Sequence, residues 1–242
     1  MHPARIAELL QPFLNSANDQ TLTTNDLHHI STYIDILQRW NARINLTAIR
    51  DEEEIVTRHF GESLFAAQHL FPGRSTLCSP VSSVLKGFDV AEAQSPKPEA
   101  RLADLGSGAG FPGIPIKLWA REVSVTLIES NHKKAIFLRE IIRALTLTNI
   151  NVFPARAEQL AASNTLFDVV TVRAVERFTE ILPSAATLLA PDGRLALLIS
   201  SSQHDQARST LPHLTWPPAI PIPQSANRIL QVAHALSRQE PA

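Results

Sequence analysis

The chain has 242 residues, and its 22 lysines and arginines nearly balance its 23 aspartates and glutamates, giving a formal net charge of −1. Hydrophobic residues make up 44% and charged residues 19% of the chain, as in ordinary globular proteins, which excludes disorder of the whole chain. Cys78 is the only cysteine, which excludes an intrachain disulfide and a cysteine-based zinc site. No apolar run reaches the ~18 residues that span a bilayer, and the first residues lack the apolar core of a secretory signal. We therefore expect a soluble, cytoplasmic, monomeric protein without a membrane partner.

Residues 1–72 have the pattern of a small helical cap. Thr23 followed by Asp26 predicts a helix start, and the acidic run 51–54 predicts the first turn of another helix that ends before Pro72. Apolar side chains recur at helical spacing between these points, at Leu27, Ile30, Ile34, Leu37 and Ile44. Residues 73–100 are rich in Ser, Pro, Lys and Ala without periodicity, which predicts a linker or insertion.

From residue 101 to 242 short apolar runs alternate with helical patterns, which predicts an α/β domain built on a mostly parallel sheet with helices on both faces. The candidate strands are Arg101–Leu105, Ser124–Ile128, Ile150–Phe153, Phe167–Val172 and Arg194–Ile199. The candidate helices are Gly113–Ala120, His132–Ala144, Arg156–Ala162 and Glu180–Leu189. The apolar segment Ile229–Leu236 fits an antiparallel end to the sheet.

Glycine marks the predicted ligand site. Four of the eight glycines fall between the first strand and its helix, at positions 106, 108, 110 and 113. Glycines such as Gly106 and Gly108 let the backbone approach a ligand closely, and ligands of open parallel sheets lie at the carboxyl ends of the strands. Asp104 precedes this loop and Glu129 ends the next strand, where a carboxylate can accept hydrogen bonds from ribose hydroxyls.

Two cofactors fit a loop of this kind. The spacing Gly108-x-Gly110-x-x-Gly113 also matches the dinucleotide fingerprint, although a single match has little specificity. Asp104 would repel a pyrophosphate, whereas it would attract the ammonium group of S-adenosylmethionine, directly or through water. The charge pattern therefore favours S-adenosylmethionine.

The sequence also resembles a known family, the bacterial 16S ribosomal RNA guanine-N7 methyltransferases, or glucose-inhibited division protein B family. The resemblance covers nearly the whole chain except 73–100 and the last thirty residues. Its matching blocks are residues 40–47 (WNARINLT), Arg58-His59 with Ser63-Leu64, the loop 104–115, residues 127–130 (LIES), Lys133-Lys134 with Phe137-Leu138, residues 155–158 (ARAE) and residues 167–174 (FDVVTVRA).

The resemblance implies a Rossmann-like, S-adenosylmethionine-dependent methyltransferase with a defined cofactor pocket. Gly106 and Phe111 would contact the cofactor in the loop, and Glu129 would hold its ribose. Ala157 and Glu158 would line the adenine side, and Arg173 would lie at the end of the fourth strand. The sequence departs from the family pattern at Glu62, where the family has Asp, at Ser200-Ser201, where it has Lys-Gly, and in the length of 73–100.

The substrate implied by the resemblance is small-subunit ribosomal RNA, within the 30S subunit or an assembly intermediate of it. Guanine N7 has an exposed lone pair and no proton to lose, so its methylation requires no catalytic base and we assign none. A small-molecule methyltransferase and a non-catalytic cofactor-binding assembly protein are the alternatives. The balanced net charge argues against a general nucleic-acid coat but allows a local basic face.

Several of these residues also have a purely structural interpretation. Asp104 can stabilise the turn, Glu158 can be a solvated helix acid, and Arg173 can pair with Asp168 or Glu158. One predicted helix carries basic residues that form either an RNA-facing ridge or a solvated face, at Lys133, Lys134, Arg139 and Arg143. The cap carries candidates for the substrate side, Arg39, Arg43, Arg50, Arg58 and His59.

Overall fold

The computed structural model describes residues 1–14, 22–72 and 100–236. Cys78 and the predicted insertion, apart from residue 100, lie outside the described residues. Within them, the helices are α1 (Pro3–Leu10), α2 (Thr24–Asn41), α3 (Glu52–Glu54), α4 (Glu62–Leu70), α5 (Gly113–Trp119), α6 (His132–Ala144), α7 (Ala157–Ala161), α8 (Phe178–Thr187) and α9 (Ser201–Thr210). No described helix is both long and apolar enough to cross a bilayer.

The described residues form one seven-stranded sheet in the order β3-β2-β1-β4-β5-β7-β6. Its strands are β1 (Arg101–Leu105), β2 (Ser124–Ile128), β3 (Ile150–Phe153), β4 (Phe167–Arg173), β5 (Leu189–Ser200), β6 (Ile220–Pro221) and β7 (Arg228–His234). Strands β1 to β5 pair in parallel, while β7 pairs antiparallel with both β5 and β6. The predicted Rossmann-like, mostly parallel sheet with an antiparallel end is confirmed.

The strand order determines where a ligand crevice lies on the sheet. The chain runs from β1 outward to β2 and β3, then returns to the other side of β1 to form β4 and β5. The connections that follow β1 and β4 therefore diverge, and a crevice opens at the carboxyl ends of these two neighbouring strands. The glycine loop after β1 lies at this crevice.

The cap helices and the sheet share a hydrophobic core. Buried side chains of α2 and α4 belong to the same cluster as those of α5 and α6 on one sheet face, whereas α7, α8 and α9 cover the other face. Polar contacts cross the same boundary: Trp40 Nε1 donates to Glu140 Oε2 at 3.0 Å, and fully buried Asp26 pairs with Arg121 at 2.7 Å. The cap is thus packed as a wall of the crevice.

A π-helical segment, Ile55–Gly61, joins α3 to α4 without a break. It carries Arg58 and His59, whose backbone carbonyls accept hydrogen bonds from side chains: Arg58 O from Arg173 Nη2 at 2.6 Å and His59 O from Ser63 Oγ at 2.6 Å. Wide helical turns of this kind are frequent at functional sites.

The predicted strands and helices agree with the structure to within a few residues at their ends, except between residues 189 and 210. The capping box of Thr23 and Asp26 and the cap of Asp51 start their helices as predicted. Helix α9 has no counterpart in the prediction, because it is almost entirely polar and only Ala207 in it is buried. Strand β5 begins at Leu189 rather than Arg194, so the end of the helix predicted at Glu180–Leu189 is wrong.

Asn41 holds the segment that follows α2 in place. Its buried side chain donates from Nδ2 to Thr47 O at 2.9 Å, and its Oδ1 accepts from Leu46 N at 2.9 Å and Thr47 N at 3.1 Å. This one amide therefore fixes the backbone of residues 45–48 at the rim of the crevice.

We expect Asn41→Ala to lower the free energy of unfolding by about 2–4 kcal/mol, because three hydrogen bonds are lost and buried backbone groups lose their partners. Urea unfolding followed by circular dichroism measures this change. Asn25→Ala on the same helix is the control, because Asn25 is exposed and, among the described residues, its side chain makes one hydrogen bond, to His29 at 3.4 Å. We expect a change below about 0.5 kcal/mol. Equal effects of the two substitutions would contradict the role of Asn41.

Candidate active site

A cavity of about 1360 Å³ lies at the carboxyl ends of the central strands, between the glycine loop and the cap. The structure brings seven of the eight predicted cofactor residues to its wall: Gly106, Gly108, Phe111, Glu129, Ala157, Glu158 and Arg173. Asp104 is absent from the wall. The cap contributes residues 45–48, Arg50 and His59 to the opposite side.

The loop after β1 needs glycine for two different reasons. Gly106, Gly108 and Gly110 have φ values of +66°, +56° and +86°, which side chains rarely adopt. A Cβ on Gly108 would meet no described atom closer than Gly106 O at 3.7 Å, so this position opens onto the cavity. A Cβ on Gly113 would lie 2.5 Å from Leu127 Cδ2 and 2.8 Å from Asp104 Oδ2, so the start of α5 packs tightly against β1 and β2.

Asp104 supports the glycine loop from the side of the sheet. Its fully buried carboxylate accepts hydrogen bonds from Ser107 Oγ, from Gly113 N at 3.2 Å and from Thr171 Oγ1 at 2.7 Å. These internal donors surround the carboxylate and no part of it reaches the cavity wall, so the described geometry offers no direct contact with a cofactor's ammonium group. That Asp104 acts on this group through water stays a prediction. The turn-stabilising interpretation describes the residue correctly.

Burial dominates the titration of this carboxyl. It raises the pKa of Asp104 from 3.8 to about 6, and the hydrogen bonds from Ser107, Thr171 and Gly113 act in the opposite direction. The charged form is thus tolerated near neutral pH at a cost that these donors reduce.

Glu129 combines a structural contact with an open face. Its Oε2 accepts from Gly108 N at 2.9 Å and its Oε1 accepts from Asn131 N at 2.7 Å, which ties β2 to the glycine loop and to the start of α6. Each carboxylate oxygen can accept a second hydrogen bond, and the residue lines the cavity. The geometry therefore suits a group with two neighbouring hydroxyls.

Phe111 joins the loop to the cap through an aromatic stack. Its ring lies between Tyr33, with centroids 5.3 Å apart and planes 7° apart, and His59, with centroids 4.7 Å apart and planes 20° apart. Phe60 meets the same ring edge-on at 5.1 Å. The hydroxyl of Tyr33 donates to Ala109 O. The loop is thus anchored on the cap by both packing and a buried hydrogen bond.

Arg173 ends β4 and is paired with the cap, not with Asp168 or Glu158. Its Nη2 lies 3.0 Å from Glu62 Oε2 and also donates to Arg58 O and to His59 Nδ1 at 3.2 Å. Burial lowers the pKa of Arg173 to about 10, so the guanidinium stays charged at neutral pH. Glu62 and its second partner, Arg228, are the residues that sequence reasoning missed.

His59 is a neutral ring in this site. Burial, followed by the nearby charges of Arg173, Arg58 and Arg228, lowers its pKa to about 2. Its Nδ1 faces the Arg173 donor and its Nε2 lies 2.8 Å from Thr47 Oγ1. Both ring nitrogens are therefore engaged, which leaves no free base on this side chain.

The remaining predicted residues have simpler surroundings. Ala157 is buried at the start of α7, and exposed Glu158 accepts a hydrogen bond from Ser184 Oγ at 3.1 Å. On α6, Lys134 lines the cavity while Lys133, Arg139 and Arg143 are exposed. Whether these basic residues meet RNA stays a prediction.

The family profile described as "GidB: rRNA small subunit methyltransferase G" matches residues 26–79 and 81–215. This chain belongs to the GidB family. The match includes most of 73–100, contrary to the prediction that this stretch lies outside the resemblance, and it stops before β7.

Proteins with the name "Ribosomal RNA small subunit methyltransferase G" are identical to this chain at more than a third of the aligned positions. The protein of Xylella fastidiosa (strain 9a5c) is 36% identical over 181 residues, covering 75% of this chain and 72% of the relative. The protein of Halorhodospira halophila is 38% identical over 172 residues, covering 71% of this chain and 68% of the relative. Among solved structures, TYW2 of Pyrococcus horikoshii in complex with MeSAdo has a TM-score of 0.48 and 14% identity, and covers 57% of each chain.

The raised pKa of Asp104 predicts a pH dependence of stability. Because the folded pKa exceeds the unfolded value of 3.8, the folded state binds more protons between the two values, and stability falls as pH rises through about 6. We expect the free energy of unfolding of the wild type, minus that of Asp104→Asn, to fall by about 2–3 kcal/mol from pH 4 to pH 7. Urea unfolding at several pH values measures it, with Asp205→Asn as an exposed control. A difference that stays constant or grows with pH would contradict the prediction.

Gly108→Ala tests the open position on the loop. The left-handed backbone costs about 1 kcal/mol of stability for alanine, and the methyl group projects into the cavity, so we expect S-adenosylmethionine affinity to fall about tenfold or more. Isothermal titration calorimetry and thermal unfolding measure the two effects. Asn164→Ala is the control, since Asn164 also has a positive φ, +54°, but lies away from the cavity. Unchanged affinity in Gly108→Ala would exclude the loop from the cofactor site.

Proposed function

We propose that this protein transfers a methyl group from S-adenosylmethionine to N7 of a guanine in the decoding region of small-subunit ribosomal RNA. Family membership over residues 26–79 and 81–215 is the observation that carries the proposal. The described site supports it, since a large cavity lies where open parallel sheets bind nucleotide-like ligands.

The glycine-loop side of the cavity fits the cofactor. S-adenosylmethionine supplies an electrophilic methyl group on a cationic sulfonium, and it carries ribose hydroxyls and no phosphate. Glu129 offers a carboxylate for the hydroxyls, and Gly106 and Gly108 offer a backbone without side chains. Ala157 and Glu158 would enclose the adenine, and Phe111 and Arg173 would close the end toward the cap. Asp104 holds this loop in place from the side of the sheet.

The cap side of the cavity fits the target base. Residues 45–48 are held rigidly by Asn41, and His59 and Phe111 form an aromatic surface beside them. We propose that the guanine enters here, so that its N7 faces the donor across the cavity. Holding the two reactants in line replaces a chance encounter, an effect worth up to about 7–11 kcal/mol in well-oriented systems.

The chemistry of N7 requires no catalytic base. The attacking lone pair carries no proton, and the two nitrogens of His59 are engaged by Arg173 and Thr47. The methylated base becomes a cation, so a neutral His59 next to it avoids an additional repulsion. The site therefore acts through placement and through the exclusion of water.

The rim of the cavity favours RNA over a small-molecule substrate. Basic side chains line the cavity at Arg50, Lys134, Arg156 and Arg177, and the last of these pairs with Glu180 at 3.3 Å. Phosphate groups are attracted by such side chains, whereas an uncharged small substrate gains little from them. We further propose that a monomer acts in the cytoplasm on the 30S subunit or its assembly intermediate.

The test uses small ribosomal subunits from a strain that lacks the native enzyme, incubated with the purified protein and labelled S-adenosylmethionine. We expect label in the small-subunit RNA at one guanine, located by aniline cleavage after reduction, which is selective for N7-methylguanine. Label in metabolites would favour the small-molecule alternative. Tight cofactor binding without turnover would favour the non-catalytic one.

Glu129→Ala provides the matched variant in this assay. Loss of hydrogen bonds between a carboxylate and the ribose predicts a rise of about 10–100-fold in the KM for S-adenosylmethionine. Glu122→Ala removes an exposed acid outside the cavity wall, and we expect it to behave as the wild type. An unchanged KM in Glu129→Ala would remove this residue from the cofactor site.

A further inference from the structure

One carboxylate oxygen is shared by two buried or half-buried arginines at the cap side of the cavity. Glu62 Oε2 lies 3.0 Å from Nη2 of Arg173 and 3.0 Å from Nη2 of Arg228. The side chains of Glu62, Arg173 and Arg228 are 4%, 7% and 23% exposed. We name these three residues the arginine clamp.

The clamp joins three separate parts of the chain. Glu62 starts α4 of the cap, Arg173 ends β4, and Arg228 starts β7, where it pairs in register with Ser200 of β5. Arg228 Nη2 also donates to Leu198 O at 3.3 Å, which fixes the guanidinium on the sheet. Arg228 lies beyond residue 215, where the family match ends.

The second arginine determines how Glu62 can bind the first. A carboxylate that faces a single arginine can accept a two-pronged pair of hydrogen bonds, which would draw both terminal nitrogens of that arginine toward it. In the clamp, Nη2 of Arg228 binds the same carboxylate oxygen, Glu62 Oε2, that Arg173 binds. The π-helical segment of the cap completes the anchoring of Arg173 through the same nitrogen, since Nη2 also donates to Arg58 O and to His59 Nδ1.

As a consequence, the guanidinium of Arg173 is held at one of its terminal nitrogens, Nη2. Within the described residues, every hydrogen bond of the Arg173 side chain leaves from Nη2, while the residue lines the cavity and its Nε is buried without a partner. An arginine held in this way has donors left for a ligand in the cavity.

We propose that Arg228 is a positioning residue, which shares Glu62 with Arg173 and thereby keeps the Arg173 guanidinium directed into the cavity. The inference rests on the proposed function, in which Arg173 contacts the cofactor. Arg228 itself does not line the cavity, so it acts only through Arg173.

A double-mutant cycle in cofactor affinity tests this dependence. Arg173→Met is expected to raise the Kd for S-adenosylmethionine by about 10–100-fold, and Arg228→Met by about 3–10-fold. If Arg228 acts through Arg173, the double variant binds no more weakly than Arg173→Met alone. Calorimetric titration provides the Kd values, and circular dichroism confirms that each variant is folded at the temperature used.

Conservative and distant substitutions complete the design. Arg228→Lys keeps a cation beside Glu62 and is expected to recover most of the affinity, while Arg208→Met on exposed α9 leaves it unchanged. If Arg228→Met does not fold, Arg228→Gln provides the same cycle, because it removes the cation beside Glu62 and keeps a polar side chain of similar length. Additive losses, or an unchanged Kd in Arg228→Met, would overturn the proposal.

The experiment separates this inference from the proposed function. Cofactor affinity is measured without RNA, so the cycle is informative even if the wild type fails to methylate ribosomal RNA. Conversely, if the wild type methylates RNA but the losses of affinity in the cycle are additive, the positioning role of Arg228 is refuted and the proposed function stands.

Discussion

The stack of Phe111 between Tyr33 and His59 is the contact on which the site depends. Phe111 belongs to the glycine loop, whereas both of its stacking partners belong to the cap. The same ring therefore fixes the loop conformation and the position of the cap, and the cavity exists because these two parts are held at a constant separation. Asp104 supports the arrangement from the sheet side by binding the ends of the loop.

Charge is distributed unevenly around this contact. Glu129 lines the cavity beside the glycine loop and Arg173 lines it on the cap side, while elsewhere in the wall Arg156 and Arg177 are accompanied by the acids Glu158, Glu176 and Glu180. Glu62 compensates the buried arginines, and burial together with the nearby arginine charges keeps His59 neutral. In the proposed reaction, the cationic donor would lie beside Glu129 and the target base beside neutral His59.

Sequence reasoning identified what local patterns determine. Apolar runs located the parallel strands, and the glycines located the loop, because both signals lie within a few neighbouring residues. It failed where the answer depended on residues distant in the chain. The carboxylate of Asp104 is taken up by Thr171, 67 positions away, and the partner of Arg173 is Glu62, 111 positions away. Nothing near Arg228 in the sequence indicates that it completes the same cluster, and polar α9 has no apolar periodicity to reveal it.

The π-helical segment Ile55–Gly61 has an implication for how this family member can vary. Each residue added to or removed from a helix rotates everything beyond it by about 100°. Deleting one residue here to restore regular winding would turn His59 off the face of Phe111, or else swing Glu62 away from its arginines. The extra width of this turn thus sets the rotational phase between the two ends of the helix, and insertions or deletions within it should be far less tolerated than substitutions on its outer surface.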